Sequence, residues 1–188
     1  YGLSATPLQI AHAYATLGNG GRSIAPTFVK GQRNEPVQVL SPEIARQVVE
    51  MMQTVTEPGG TATQAAILGY HVAGKTGTAR QASAGGYSRE YFAFFAGLVP
   101  VENPRFSMVV AINDPTKGSY YGGIVAGPVF RNTMEGALRM MDVSPDNLDA
   151  WLAAQAEAEA KRLKASGRAL PAQSTAAMPS APAARAVQ

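Results

Sequence analysis

No cysteine occurs in this sequence. Its absence excludes disulfide staples, thiolate nucleophiles and cysteine-ligated zinc, while leaving oxidising and reducing compartments equally open. Histidine is scarce as well. With only His12 and His71 present, a two-histidine metal site would need both, and His12 reads as one polar position on a helix, so neither metal nor cofactor is expected. No apolar run approaches the roughly 18 residues of a membrane span, and no basic-then-apolar leader precedes a small-residue cleavage site. Basic clusters interleaved with aromatics are missing too. The 16 Lys and Arg residues against 13 Asp and Glu give a net charge of +3 and a pI near 9.3, but they are scattered. They read as a solvated surface rather than a nucleic-acid footprint.

What is present suffices for one core of ordinary size: 188 residues, 46% of them apolar, imply one domain or part of one. The chain opens at Tyr1 in mid-pattern, which suggests a piece of something longer. Thr6-Pro7 is an N-cap followed by a first-turn proline, and Leu8, Ala11, Ala15 and Leu17 supply an apolar face until Gly18-Asn19-Gly20-Gly21 ends the helix. Ser41-Pro42 repeats this grammar, with Ile44, Val48, Met52 and Val55 on one face and a stop at Glu57-Pro58-Gly59-Gly60. Between the two helices, "SIAPTFVKGQRNEPVQVLS" has room for a short strand or two. Further on, "GGIVAGPVFRNTMEGALRMM" predicts one long helix with Val125, Val129, Met134, Leu138 and Met141 on its stripe and Pro128 in its first turn. From Asn147 the chain turns Ala-rich and charged, a helix to about residue 166 with little to bury beyond Trp151, Leu152 and Leu163. The Ala, Pro and Ser composition of 167–188 predicts a disordered tail.

The chemistry concentrates in "GYHVAGKTGTARQ", residues 69–81. Gly69 to Thr76 satisfies G-x-x-x-x-G-K-[ST], the phosphate-cradling loop, and Lys75 to Thr78 also spells the K-T-G signature of penicillin-recognising serine enzymes. Asp114, closing an apolar run as a magnesium ligand would, favours the first reading. Context favours the second. A phosphate loop must open into a helix, whereas Gly77, Gly85 and Gly86 follow Lys75. The runs "FAFFAGLV" (92–99) and "FSMVVAIN" (106–113) are separated only by "PVENPR", enough for an antiparallel hairpin and too short for a parallel crossover.

If Lys75 to Ala79 is an edge strand lining a cleft, Lys75 offers an ammonium to a substrate carboxylate and a serine, with the Thr76 and Thr78 hydroxyls at the same anion. Gly77 would let a peptide lie close and pair as an added strand, and the backbone N–H of Thr78 would supply half of an oxyanion hole. By itself the tripeptide is a weak signal, and an ordinary strand with one exposed lysine fits it as well.

Four segments in order strengthen it: "YGLSATPLQIAHAYATLGNGG", "GGTATQAAILGYHVAGKTGTAR", "FAGLVPVENPRFSMVVAINDP" and "YYGGIVAGPVF". Over residues 1 to about 150 the chain resembles class B penicillin-binding proteins, specifically the division-specific, FtsI-like septal peptidoglycan D,D-transpeptidases of Gram-negative bacteria. The resemblance implies an α+β fold, an antiparallel sheet with helices on both faces. It also implies a serine acyl-enzyme: the serine attacks the penultimate D-Ala of a stem peptide, releases the terminal D-Ala and passes the acyl group to an amine of a neighbouring strand, and β-lactams trap it. By motif match Lys75, Thr76, Gly77 and Thr78 form the third family motif, with Lys75 and Thr78 catalytic, and Arg80 follows. Tyr120, Tyr121 and Gly122 fall where a loop borders the cleft, although packing at a strand end explains the tyrosines equally well.

The family also needs a Ser-x-x-Lys nucleophile motif and a Ser-x-Asn motif, and no serine from Ser4 to Ser180 satisfies either. The expectation is therefore the C-terminal part of a transpeptidase domain over 1–146, followed by the helix and the tail. Its parent would sit on the periplasmic face of the inner membrane through an anchor outside this chain, with other division proteins as partners. Two alternatives stay open: a carboxypeptidase or β-lactamase-like hydrolase that uses water as acceptor, and a non-catalytic module that docks division proteins.

Overall fold

A computed structural model describes residues 4–83 and 86–165; the tail expected over 167–188 lies outside them. The first helix, α1 (Pro7–Gly18), starts where Thr6 accepts from the Gln9 N–H and the Gln9 side chain returns the bond to the Thr6 N–H. This reciprocal capping box satisfies two donors that a helix start otherwise leaves bare. A two-residue antiparallel pair follows, β1 (Arg22–Ser23) with β2 (Val37–Gln38). Next comes α2 (Pro42–Gln53), capped by the Ser41 hydroxyl. The main sheet has the order β3-β4-β5, antiparallel throughout, from β3 (Ala73–Ser83), β4 (Gly86–Val99) and β5 (Phe106–Asn113). The hairpin expected between 92–99 and 106–113 is there, with Val99 paired to Phe106.

Alternation along β4 sends successive side chains to opposite faces, and each face finds its own cover. On one, Phe95 meets Phe130 edge to face, ring centroids 4.9 Å apart, among Val99, Val110, Met134 and Leu138. On the other, Leu98 joins Val49 and Ala73, with Leu17 and Met52 packed against them. Helices therefore cover both faces of the sheet, an α+β arrangement.

The long helix expected from Gly122 onward is broken. A single turn, α3 (Gly122–Val125), ends at Ala126, and α4 (Gly127–Met140) starts anew with Pro128 in its first turn. The buried stripe of α4 is Phe130, Met134 and Leu138, at strict four-residue steps, while Val129 and Met141 are exposed. The periodicity had merged two helices into one and so shifted the stripe. A similar shift affects α2, where Ala45 and Val49 are buried and Ile44 is half exposed. In α1, Thr16 is the buried residue and Leu8 and Ala15 are exposed.

Beyond α4, Asp146 ties three elements together. Its buried carboxylate accepts from the His71 N–H at 2.7 Å, just before β3, and from the Val101 and Glu102 N–H groups in the β4–β5 turn at 2.9 and 3.2 Å. Asp146→Asn would turn a donor toward one of those N–H groups. In the full-length protein it should cost about 1.5 to 3 kcal/mol, the range for a hydrogen bond to a charged group, measurable by urea unfolding. The chain divides into two units, Tyr1–Trp151 and Leu152–Gln188. The last helix, α5 (Leu148–Ala165), crosses that division. Trp151 packs where a side chain on Gly69 would stand, Leu152 is exposed, and the Leu163 side chain lies outside the described set. No described helix is long and apolar enough to cross a membrane.

Candidate functional site

Among the described residues β3 pairs only with β4, so the K-T-G segment lies on the sheet edge, as the strand reading expects. Lys75 faces Ala96, Gly77 faces Phe94 and Thr78 faces Ala93 in the register. The phosphate-loop reading fails on this geometry. Lys75 and Thr76 lie inside a strand that runs on to Ser83, in a sheet without parallel pairs, and no helix opens after them. Asp114, the suggested magnesium ligand, sits in a positive-φ turn after β5, where its N–H donates to the Tyr91 carbonyl at 2.8 Å.

Alternation divides the motif between two faces. Thr76 and Thr78 share one, because side chains on Gly74 and Gly97, in phase with them, would meet Phe95. Lys75 and Gly77 belong to the other. The exposed Lys75 ammonium donates to the Thr76 carbonyl at 3.0 Å, so reaching the face that carries the threonine hydroxyls requires it to leave that oxygen. The Phe94 ring fills the place where a Gly77 side chain would stand. Close packing inside the sheet, rather than an approaching peptide alone, requires glycine there.

Each threonine hydroxyl is engaged from outside the strand. Thr76 Oγ1 lies 3.0 Å from Thr61 Oγ1, and Thr78 Oγ1 accepts from the Gly122 N–H at 3.2 Å. Two glycines make that approach possible. A β-carbon on Gly122 would overlap the Phe94 carbonyl oxygen and lie 2.6 Å from that of Gly77, and one on Gly123 would overlap the Thr61 carbonyl oxygen. The start of α3 thus wedges backbone to backbone between the sheet and the loop around Thr61. Sequence reasoning placed Gly122 at the cleft border but passed over Thr61 and Gly123. The adjacent pairs Gly59-Gly60 and Gly122-Gly123 were the available signal.

Beside the wedge stands an aromatic tier. Tyr91 stacks on Tyr120 with ring centroids 4.2 Å apart, Tyr120 tilts against Tyr121 at 4.7 Å, and the Arg80 guanidinium sits 5.8 Å over the Tyr91 ring. A hydrogen bond with Tyr121, helped by the proximity of Tyr121 and Tyr91, raises the Tyr120 phenol above its ordinary value. Arg80, Tyr120 and Tyr121, singled out from sequence, are brought together here. Tyr91 was missed because β4 begins well before the apolar run that announced it. The histidines serve elsewhere: His12 Nε2 lies 3.1 Å from Ser23 Oγ, and His71 Nδ1 lies 3.7 Å from Asp146.

Residues 1–135 match the family described as penicillin binding protein transpeptidase domain. The chain is 47% identical over 150 residues to peptidoglycan D,D-transpeptidase FtsI of Escherichia coli K12, covering 79% of this chain and 26% of that protein. It is 38% identical over 150 residues to the probable peptidoglycan D,D-transpeptidase PbpC of Pseudomonas aeruginosa, with the same coverage. Among solved structures, the apo transpeptidase domain of Burkholderia pseudomallei penicillin-binding protein 3 superposes with a TM-score of 0.70 at 37% identity, covering 78% of this chain and 45% of that one. The chain thus spans about a quarter of the length of the curated relatives it matches. A lysine-threonine-glycine edge strand in an antiparallel sheet covered by helices on both faces, together with these matches, shows that this chain belongs to the penicillin-binding-protein transpeptidase domain family.

Proposed function

We propose that this chain is the C-terminal part of a septal peptidoglycan D,D-transpeptidase, and that its edge strand recognises the carboxylate end of a stem peptide or a β-lactam. The reading divides the chain into transpeptidase material over 1–146, a helix to about 166 and a tail over 167–188. The observation that carries it is the paired presentation of the Thr76 and Thr78 hydroxyls on one face of a strand whose outer edge is unpaired among the described residues. Hydroxyls two residues apart on a strand stand about 6.6 Å from each other, a gap one carboxylate spans with a hydrogen bond to each of its oxygens. Lys75 supplies the positive charge, released from the Thr76 carbonyl when an anion or a serine competes for it. The backbone N–H of Thr78 is proposed as half of the oxyanion hole. Arg80, Tyr120, Tyr121 and Gly122 border the leaving-group or side-chain end of the ligand.

The attacking serine is outside this chain, since no Ser-x-x-Lys occurs in it. Incubated with a penicillin, the isolated 188-residue polypeptide should show no added mass by intact mass spectrometry; stoichiometric acylation would refute the assignment of the nucleophile elsewhere. Deleting 167–188 from the full-length protein should leave the acylation rate and the thermal midpoint unchanged, because that composition buries too little apolar surface to offset ordering. A drop of several degrees or of tenfold in rate would give the tail a docking role. A periplasmic location at the inner membrane and contacts with other division proteins belong to this proposal and follow from the family alone.

A further inference from the structure

Resting on that reading, we propose that Thr61, outside the lysine-threonine-glycine motif, is a positioning residue that commits the Thr76 hydroxyl to donate to an anionic ligand. A threonine hydroxyl has one proton to donate and two lone pairs to accept with. Thr61 Oγ1 and Thr76 Oγ1 are 3.0 Å apart, so one of them donates to the other. A carboxylate offers acceptors only. When it takes the Thr76 proton, the pair has a single consistent polarity: Thr61 donates to Thr76, and Thr76 donates to the carboxylate. Thr78 already has the matching arrangement, because its oxygen accepts from the Gly122 N–H at 3.2 Å and its own proton is left to point outward. Accepting a hydrogen bond polarises a hydroxyl and makes it the better donor. The two threonines are therefore set alike, one by a side chain and the other by a backbone N–H.

The backbone around Thr61 explains why that residue stays in place. Gly123 abuts its carbonyl with no room for a side chain, and the Ala62 N–H that follows it donates to the Val55 carbonyl at 2.8 Å. Ala62 itself is buried. The loop backbone is thereby clamped between α3 and the segment after α2, which keeps Thr61 beside the strand. A ligand whose acceptor is neutral gains less from the relay than a carboxylate does, since charge-assisted hydrogen bonds are about twice as strong as neutral ones. The relay should therefore show up as selectivity for charge, not as overall rate.

The test compares second-order acylation of the full-length protein by benzylpenicillin and by its methyl ester. Thr61→Val, which keeps the shape and removes the donor, should lower the preference for the free carboxylate about 5-fold. Thr61→Ser, which retains the hydroxyl, should hold the preference within about 2-fold of the unsubstituted protein. Equal loss toward both compounds in Thr61→Val, an unchanged preference, or failure of serine to restore it would overturn the relay; equal loss with a lowered thermal midpoint would mark Thr61 as structural only. Acylation of the unsubstituted protein by neither compound is a separate outcome. It would overturn the transpeptidase reading, and the relay with it.

Discussion

Lys75→Ala in the full-length protein is expected to slow β-lactam acylation by about 100-fold or more, the scale on which a preorganised charged or oxyanion group acts. The ammonium is the one cationic group inside the motif. Its single hydrogen bond among the described residues, to the Thr76 carbonyl on an exposed edge, is a modest anchor that an anion can displace. ATP and GTP should neither bind nor protect against acylation, because Lys75 lies within a strand and no helix N-terminus follows it. Rate constants from stopped-flow or mass spectrometric time courses measure the first effect, and equilibrium dialysis the second. An alanine variant acylated at the normal rate, or magnesium-dependent nucleotide binding lost on substitution, would contradict the role given to this residue. Thr78→Val should cost much less, since it removes a hydroxyl but leaves the backbone N–H in place.

Gly122→Ala should be strongly damaging for a single added methyl. The added carbon would overlap the Phe94 carbonyl oxygen and lie 2.6 Å from that of Gly77. Both belong to the paired β3 and β4 backbones, which cannot rotate aside as a side chain can. Relief requires α3 to lift off the sheet, costing about 2 to 3 kcal/mol in overpacking. The same movement withdraws the N–H that orients the Thr78 hydroxyl. Stability and acylation should therefore fall together, the former read from urea unfolding and the latter falling at least about tenfold. Gly136→Ala is the control. It is also helical, but nothing stands within 4 Å of its added carbon, so alanine there should be neutral or stabilising by about 0.5 to 1 kcal/mol. Unchanged stability in Gly122→Ala would mean that the wedge is looser than its geometry indicates.

Much of this architecture can be read from local patterns, because local chemistry decides it. Thr6-Pro7 and Ser41-Pro42 fix two helix starts through capping and proline geometry. The six residues between two strand-like runs force an antiparallel hairpin. One misreading arises where apolar periodicity runs across a helix break. Gly122 to Met141 shows a nearly continuous helical pattern, yet Pro128, which has no N–H to donate and would clash with the carbonyl four residues before it, breaks it at Ala126–Gly127 after one turn. That break places Phe130 rather than Val129 against Phe95.

The candidate site divides along the same line. The motif residues can be picked out by their chemistry, and Arg80, Tyr120 and Tyr121 by their resemblance to relatives. Which face each side chain takes depends on pairing with β4. Only the register separates Lys75 and Gly77 from Thr76 and Thr78 and shows that Phe94 claims the space over Gly77. Thr61 is 15 residues from its partner Thr76, and Gly122 is 44 from Thr78. No local pattern announces contacts at such separations.

The central claim is that these residues recognise a carboxylate for a serine that this chain does not contain. Peptide mapping of the full-length protein after reaction with a labelled penicillin tests it most directly. The account predicts one acyl adduct per molecule, on a serine outside these 188 residues, formed in the unsubstituted protein and lost or greatly slowed in Lys75→Ala. An adduct on any serine from Ser4 to Ser180, or no adduct at all, would contradict it.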